Sequence, residues 1–504
     1  CATAEEIAAA MIRVIDEPGD PRGDGKNNQT WMLQRHSADL IVARQLLTYS
    51  RIGLMRERNA PPAVARAPEP AFRERIASQR TKLREAVKRW LLDFVARSGR
   101  TALKIAVPLG RWATRVRLAT SAPRSLWGVT PILTLPLLAR CDGMLGFKSR
   151  SLVYVTYYIS KNFDIDLSRL TKFFQQDAAA YRGFVELVLA YALLRFDVFS
   201  YFYDRGVLSP PNGRIQMSTQ ELALLKASGK RIYAYAYGAD VRTREKTLGL
   251  GAYNFCVDCD APRKYCICSE EEAEQNIEGL RPYANAMIAM GDMIHYVPGC
   301  RNFHYWPIDC DRFKFHAATW RGERPLRILH APNHMHFKGS RHLFSAIERL
   351  KAEGAAIELK TISGVPNDVV LAEMAAADVV AEQFIGGAIG YTAVEAFALG
   401  KPVLTYVRDE SAVEDYKNFP GLNASPDRLY DMLKDVLDGR PRLAAVAAAS
   451  RRYAEAHYSL EAVALKLGAL YLETAGLPKG VARRIARRME RLREALDARL
   501  KAPL

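Results

Sequence analysis

The residues best suited to chemistry lie in GGAIGYTAVEAFALGKPVLTY, at 386–406. Glycines ahead of a helix let backbone N–H groups come close to an oxygen-rich ligand, and the helix N-terminus adds its dipole. Gly390 and Thr392 stand at that helix start, and Glu395 falls one turn inside it. A carboxylate there accepts two hydroxyl hydrogen bonds, as a ribose diol requires. A second loop, HAPNHMHFKGS at 330–340, ends on Lys338 and Gly339, which open another helix. An ammonium among the free N–H groups of a helix start suits a phosphate. His336, in the same loop, is a candidate second donor to that phosphate, or else a loop histidine capping a backbone group. Taken singly, these are also a surface lysine, a surface helix glutamate and tight-turn glycines. Their joint occurrence in this order points to a nucleotide-sugar ligand.

Asp240, in YGADVR at 237–242, follows an apolar, aromatic run. It therefore falls at a strand's carboxyl end, where open α/β sheets bind ligands. Its expected role is to orient a substrate hydroxyl or a transferred sugar. The alternative is a cap on the next segment or a pair with Arg242. CVDCDAPRKYCIC places Cys256, Cys259, Cys266 and Cys268 within 13 residues. The first pair has the common zinc spacing, whereas the second has only one intervening residue. A closed, structural four-thiolate zinc site is one expectation, and free cysteines are the other.

The elements that must hold these residues are short and alternating. SLVYVTYYIS (151–160), FDVFSYFYD (196–204) and RIYAYAYGADVR (231–242) read as strands, with helical segments between them. A second series follows: strands at 324–332, 356–364, 378–384 and 402–407, and helices at 338–354, 367–377 and 392–400. Strand alternating with helix is the pattern of a doubly wound parallel sheet. The chain thus reads as α/β, with two Rossmann-like doubly wound domains at 121–312 and 313–475 and a ligand cleft between them. Residues 1–120 form a basic, helical N-terminal extension, and 476–504 a basic amphipathic C-terminal helix.

The chain has 504 residues and a net charge of +17. Residues 71–120 hold 13 Lys/Arg against three acids, and 479–501 hold nine against three. The middle is close to neutral, which argues against a nucleic-acid footprint. Basic amphipathic ends suit an anionic membrane surface instead, and the tail stripe would also serve a homodimeric coiled coil. The most apolar stretch, 184–202, is interrupted by Glu186, Arg195 and Asp197, so it does not read as a membrane span. The first 20 residues carry acids where a signal peptide needs bases. The expected location is cytoplasmic, with peripheral attachment to the cytoplasmic face of a membrane.

HAPNHMHFKGSRHLFSAIERL and ADVVAEQFIGGAIGYTAVEAFALGKPVLTYV resemble the donor domain of a family-4-type glycosyltransferase of the GT-B fold. YWPIDCDRF (305–313) resembles the segment that links the two domains of that fold, and YGADVR resembles a turn of its acceptor domain. The resemblance implies a nucleoside-diphosphate sugar as donor and a glycan, lipid-linked or protein acceptor. It implies metal-independent hexosyl transfer with retained anomeric configuration, by a same-face displacement. In it Lys338 and Gly339 meet the diphosphate, with Gly390 and Thr392 beside it, and Glu395 holds the ribose. The family usually has a second glutamate eight positions before the ribose glutamate. Here that position is Gly387, and Glu382 stands 13 positions before Glu395. A catalytically weak sugar-nucleotide-binding partner in a glycan-assembly complex is the alternative that Gly387 motivates.

Overall fold

Runs of β-branched and aromatic residues form the strands of two parallel sheets, and capped amphipathic segments form the helices over them. The computed structural model describes residues 70–157, 162–209, 216–257, 259–316, 320–439 and 442–504. The helical elements expected within 1–69 lie outside these. The chain divides into two units, Cys1–Arg89 and Trp90–Leu504, and both sheets belong to the second.

Ahead of the first sheet runs α1 (Pro70–Thr120), a helix with Pro108 inside it. Gly99, Gly110 and Thr114 pack inward along it. Then come β1 (Arg124–Val129), α2 (Leu135–Met144), β2 (Lys148–Val153), β3 (Ile165–Asp166), α3 (Ser168–Phe174) and α4 (Ala178–Arg195). β4 (Val198–Phe202), α5 (Thr219–Ala227), β5 (Arg231–Tyr235), α6 (Arg244–Leu248), α7 (Glu270–Leu280), β6 (Ala286–Ala289) and β7 (Arg301–Asn302) complete the lobe. The strands lie parallel in the order β3-β2-β1-β4-β5-β6-β7. β4 and β6 are buried along their whole length, as central strands covered on both faces must be. Side-chain oxygens start α4 and α7: Asp177 accepts from Ala180 N at 2.8 Å and Ser269 from Glu272 N at 3.2 Å.

The second lobe holds β8 (Leu326–His330), α8 (Met335–Lys338), α9 (Ser340–Ala352), β9 (Ile357–Thr361), α10 (Asn367–Ala376) and β10 (Val379–Ala381). It continues with α11 (Tyr391–Ala398), β11 (Val403–Thr405), β12 (Leu422–Asn423), α12 (Leu429–Leu437) and α13 (Leu443–His457). Its strands are also parallel, in the order β12-β11-β10-β8-β9. This is the pair of Rossmann-like, doubly wound domains expected of the GT-B fold. Each sheet reverses its strand order once, between β1 and β4 in the first and between β8 and β10 in the second.

The chain then crosses back. Ser459 pairs with Ile308, and α14 (Leu460–Thr474) packs on α2 of the first lobe. There Tyr471 donates to Asp142 Oδ1 at 2.9 Å, and the Tyr233 and Thr474 hydroxyls lie 3.0 Å apart. α15 (Lys479–Lys501) packs on α14 and α13. Val481, Ile485 and Met489 are buried there, while Leu492, Leu496 and Leu500 farther along the same stripe are half-buried. Among the described residues, no helix is long and apolar enough to cross a membrane.

Candidate functional site

The second sheet's switch point assembles an anion cradle. β8 ends on His330 and β10 on Ala381, side by side. His330 is fully buried, with Nδ1 2.8 Å from Ala381 O and Nε2 2.7 Å from Ser340 Oγ. A carbonyl opposite Nδ1 makes that nitrogen the N–H donor, so Nε2 accepts from the serine hydroxyl. Burial holds the ring neutral by lowering it to about 4. The neutral imidazole thereby ties the end of β10 to the start of α9, where Gly339 turns the chain at φ 64°. Lys338, the last residue of α8, reaches across to the buried carboxylate of Glu382. The other oxygen of Glu382 accepts from Gly390 N at 3.2 Å and from Thr405 Oγ1 at 3.4 Å.

Gly390 is the N-cap of α11 and has no capping side chain, so its own N–H is met by Glu382 while the first-turn N–H groups behind it lack a side-chain cap. A Cβ at Gly390 would stand 2.5 Å from Glu382 Oε1 and 3.1 Å from Lys338 Nζ, so a larger residue would push the ion pair aside. Lys338, Gly339 and Gly390 are thus brought together as the sequence suggests. Thr392 lies half-buried in the first turn of α11. What the sequence misses is the occupant: Glu382 sits among the groups assigned to phosphate. Its place at the carboxyl end of β10 is the signal that marks it.

Glu395 lies within α11 and is 5% exposed. It accepts from Asn367 Nδ2 at 3.0 Å, at the start of α10. Burial pushes its carboxyl up to about 7, against the pull of the Asn367 bond. Among the described residues lining the interlobe cavity, Lys338 and Gly390 appear and Glu395 does not. Gly387, where the resemblance expects an acid, has φ 74°, and a Cβ there would stand 2.5 Å from Arg408 Cζ. The Arg408 guanidinium fills the space and donates to Tyr253 O at 2.6 Å.

The cavity between the lobes holds about 390 Å³. Its first-lobe wall includes Tyr237, Arg242, Asp292, His304 and Trp306, and its second-lobe wall His334, Lys338, Gln383 and Gly390. Arg242 clasps Asp292 with two bonds, at 3.0 and 2.9 Å. Burial and then the Lys264 and Lys338 charges lower His334, whose ring centroid is 4.2 Å from that of Tyr265. Asp292 carries no role in the sequence reading, and Arg242 enters it only as a candidate partner of Asp240, whereas it pairs with Asp292. Asp292 follows β6 directly, and that position at a strand's carboxyl end is again the available signal.

Asp240 requires a correction. It is fully buried, and its carboxylate turns back into its own turn, accepting from Gly238 N at 2.8 Å, Tyr237 N at 3.0 Å and Tyr203 N at 3.2 Å. Burial and then the nearby Asp204 raise it above the usual carboxylate range. The physical reason is local: three amides converge on the carboxylate, which leaves it nothing to offer a substrate. His336 is corrected too, because its Nε2 donates to Phe255 O at 2.9 Å and not into the cradle.

The four cysteines face one small cavity of about 10 Å³, shared with Arg242, Phe255 and Phe337. Cys256, Cys259, Cys266 and Cys268 are free thiols, and burial pushes Cys266 up to about 12. Among the described residues, no group of three or more His, Cys, Asp or Glu stands together as a metal would need. The zinc expectation gains no support. Their loop packs instead on the second lobe, through Phe255 on Phe337 (5.7 Å) and Tyr265 on Phe337 (5.6 Å).

No family model matches the chain, and no curated protein sequence matches it. Solved structures similar to it include sucrose-phosphate synthase from Thermosynechococcus elongatus, at 13% identity and a TM-score of 0.45, covering 69% of this chain and 98% of that one. Another is Anabaena HepE in complex with UDP-glucose, at 12% identity and a TM-score of 0.41, covering 75% and 99%. A third is the catalytic domain of starch synthase IV from Arabidopsis thaliana bound to ADP and acarbose, at 11% identity and a TM-score of 0.44, covering 73% and 100%.

Proposed function

We propose that the protein is a glycosyltransferase that binds a nucleoside-diphosphate sugar in the interlobe cleft and passes the sugar to a glycan, lipid-linked or protein acceptor. The observation that carries this reading is the cradle at the β8/β10 switch point: one ammonium and one uncapped helix-start amide converge on a single carboxylate beside a cleft. Those are the groups that a departing diphosphate needs, because charge neutralisation is the main demand of the step. In this reading Glu382 acts as an internal anion, exchanged for the donor phosphate when donor binds. Glu395, ionised, holds the ribose diol after Asn367 gives way. Arg242 and Asp292 fix the acceptor side.

Retention by same-face displacement is part of the proposal. Among the described residues lining the cavity, Asp292 is the one carboxylate, and Arg242 holds both of its oxygens. A carboxylate so engaged makes a poor nucleophile, so the acceptor proton would pass to the leaving phosphate. A second reading, a sugar-nucleotide binder without turnover, is favoured by one feature: Lys338 is already neutralised by Glu382.

The test is a thermal-shift and calorimetric screen of nucleoside diphosphates and their sugars, starting with UDP and ADP, followed by a nucleotide-release assay on the hits. Selective stabilisation that Lys338→Ala abolishes is the expected result. Stabilisation without release upholds the second reading, and no stabilisation by any nucleotide defeats both.

A further inference from the structure

α1 carries a face that the cleft does not use. Its inner side is fixed to α4 at backbone distance: a Cβ on Gly99 would stand 2.6 Å from Gly183 O, and one on Gly110 2.7 Å from Leu193 O. The buried Lys230 ammonium donates to Gly110 O at 3.2 Å, Thr114 Oγ1 at 2.6 Å and Phe196 O at 2.8 Å. Arg117 holds the buried Asp197 with bonds of 2.8 to 3.2 Å. A helix pinned in this way cannot roll, so its outer side stays outward.

That outer side is apolar. Trp90, Ile105, Leu109, Trp112 and Val116 are between 39% and 66% exposed. At about 100° per residue the last four fall within an arc of ~60°. Alongside them run the exposed cations Arg97, Arg100, Lys104, Arg111 and Arg115, and Asp93 is the one acid between Trp90 and Thr120. In the first unit, the same helix shows Leu83 and Val87, at 61% and 54% exposure. The charge extends onto a neighbour: Arg484 of α15 donates to Ser121 O at 2.9 Å, which places the exposed Arg483 and Arg487 near the end of α1.

We propose that this face of α1 docks on an anionic lipid surface. The two tryptophans and the aliphatic stripe would enter the headgroup boundary, and the flanking cations would meet the lipid phosphates. Charge decides among the occupants. Nucleic acid would satisfy the cations and leave the apolar stripe in water. A second copy would cover the stripe and set five cations of each chain against the other's. An anionic bilayer takes both features at once.

The experiment is co-sedimentation of the full chain with vesicles of phosphatidylglycerol in phosphatidylcholine, compared with phosphatidylcholine alone. Binding to the anionic vesicles, weakened by salt, is expected. Ile105→Ser with Trp112→Ser, and separately Arg111→Gln with Arg115→Gln, should each weaken it roughly tenfold. All four side chains are exposed, so circular dichroism and Tm should not move. Vesicle binding that neither double variant weakens overturns the proposal, as does equal binding to the neutral vesicles. So does a wild-type chain that binds duplex DNA but no vesicle. A dimer by light scattering that the Ile105/Trp112 variant dissociates, without any vesicle binding, assigns the face to a second copy and overturns it as well.

Discussion

The two lobes carry the same topological device and use it differently. Beside the β1/β4 reversal of the first lobe, at the carboxyl ends of β4 and β5, Asp204 and Asp240 are both fully buried. Asp204 takes Tyr237 Oη at 2.9 Å and Thr130 Oγ1 at 3.3 Å, while Asp240 takes three amides. Every charge is spent inside the lobe. At the β8/β10 reversal of the second lobe, a lysine and a helix-start amide meet one buried carboxylate at the edge of a cavity. A switch point is therefore a place where loops diverge, and the side chains decide whether it becomes an anchor or a site.

The sharpest way to break this contrast is to remove Lys338. Lys338→Met leaves Glu382 buried without its cation and should cost roughly 3–5 kcal/mol of stability, read from denaturant unfolding. Adding Glu382→Gln should restore most of that loss while nucleotide binding stays absent. Glu382→Gln alone should tighten nucleoside-diphosphate binding by roughly tenfold, measured calorimetrically, because the internal competitor has lost its charge. Weaker binding would make Glu382 a positioning group instead.

Next in size is a pair of matched changes in the first lobe. Asp292→Asn, in the cleft, should lower kcat/KM per folded molecule by roughly 10- to 100-fold, and should also lower Tm because the Arg242 guanidinium loses its carboxylate. Asp240→Asn sets an amide N–H against the Tyr203 N–H and should cost about 1–3 kcal/mol of stability. Its kcat/KM per folded molecule should not change. Gly387→Ala adds a Cβ 2.5 Å from Arg408 Cζ at φ 74° and should cost about 1–3 kcal/mol. Gly143→Ala, where nothing lies within 4 Å, should be neutral or slightly stabilising by Tm.

The last test is pH dependence. The Glu395 carboxyl rises from 4.5 to about 7 on folding, so the folded chain holds a proton that the unfolded chain has lost across that window. Stability should fall as pH rises from about 4.5 to about 7, and Glu395→Gln should flatten that part of the curve.

The second lobe was largely legible in the sequence. Strands such as RPLRILHAP and helices ending on glycine alternate regularly there, and β8 to β11 fall where the pattern puts them. β1 was not legible, because RSLWGV is short and carries arginine, serine and glycine. Neither was the crossing of α14, since a helix's own pattern does not say which lobe its apolar face will meet. In the site, Lys338, Gly339 and Gly390 converge as their loops imply. The errors concern direction. Chain position places Asp240 at a strand end, but only the fold shows its carboxylate curling into its own turn. Likewise, spacing brings four cysteines near one another without settling how their sulfurs face.

The backbone passes between the lobes twice, and the two passages touch where Ile308 pairs with Ser459. The clamp is widened by Lys466 on His304 O at 3.3 Å and Arg451 on Cys310 O at 3.2 Å, and two passages held side by side can rotate about that place while resisting being pulled apart. The mouth of the cleft should therefore open like a hinged jaw, with its pivot at the paired residues. A bulky insertion beside either one would stiffen the opening without touching a single group in the cleft.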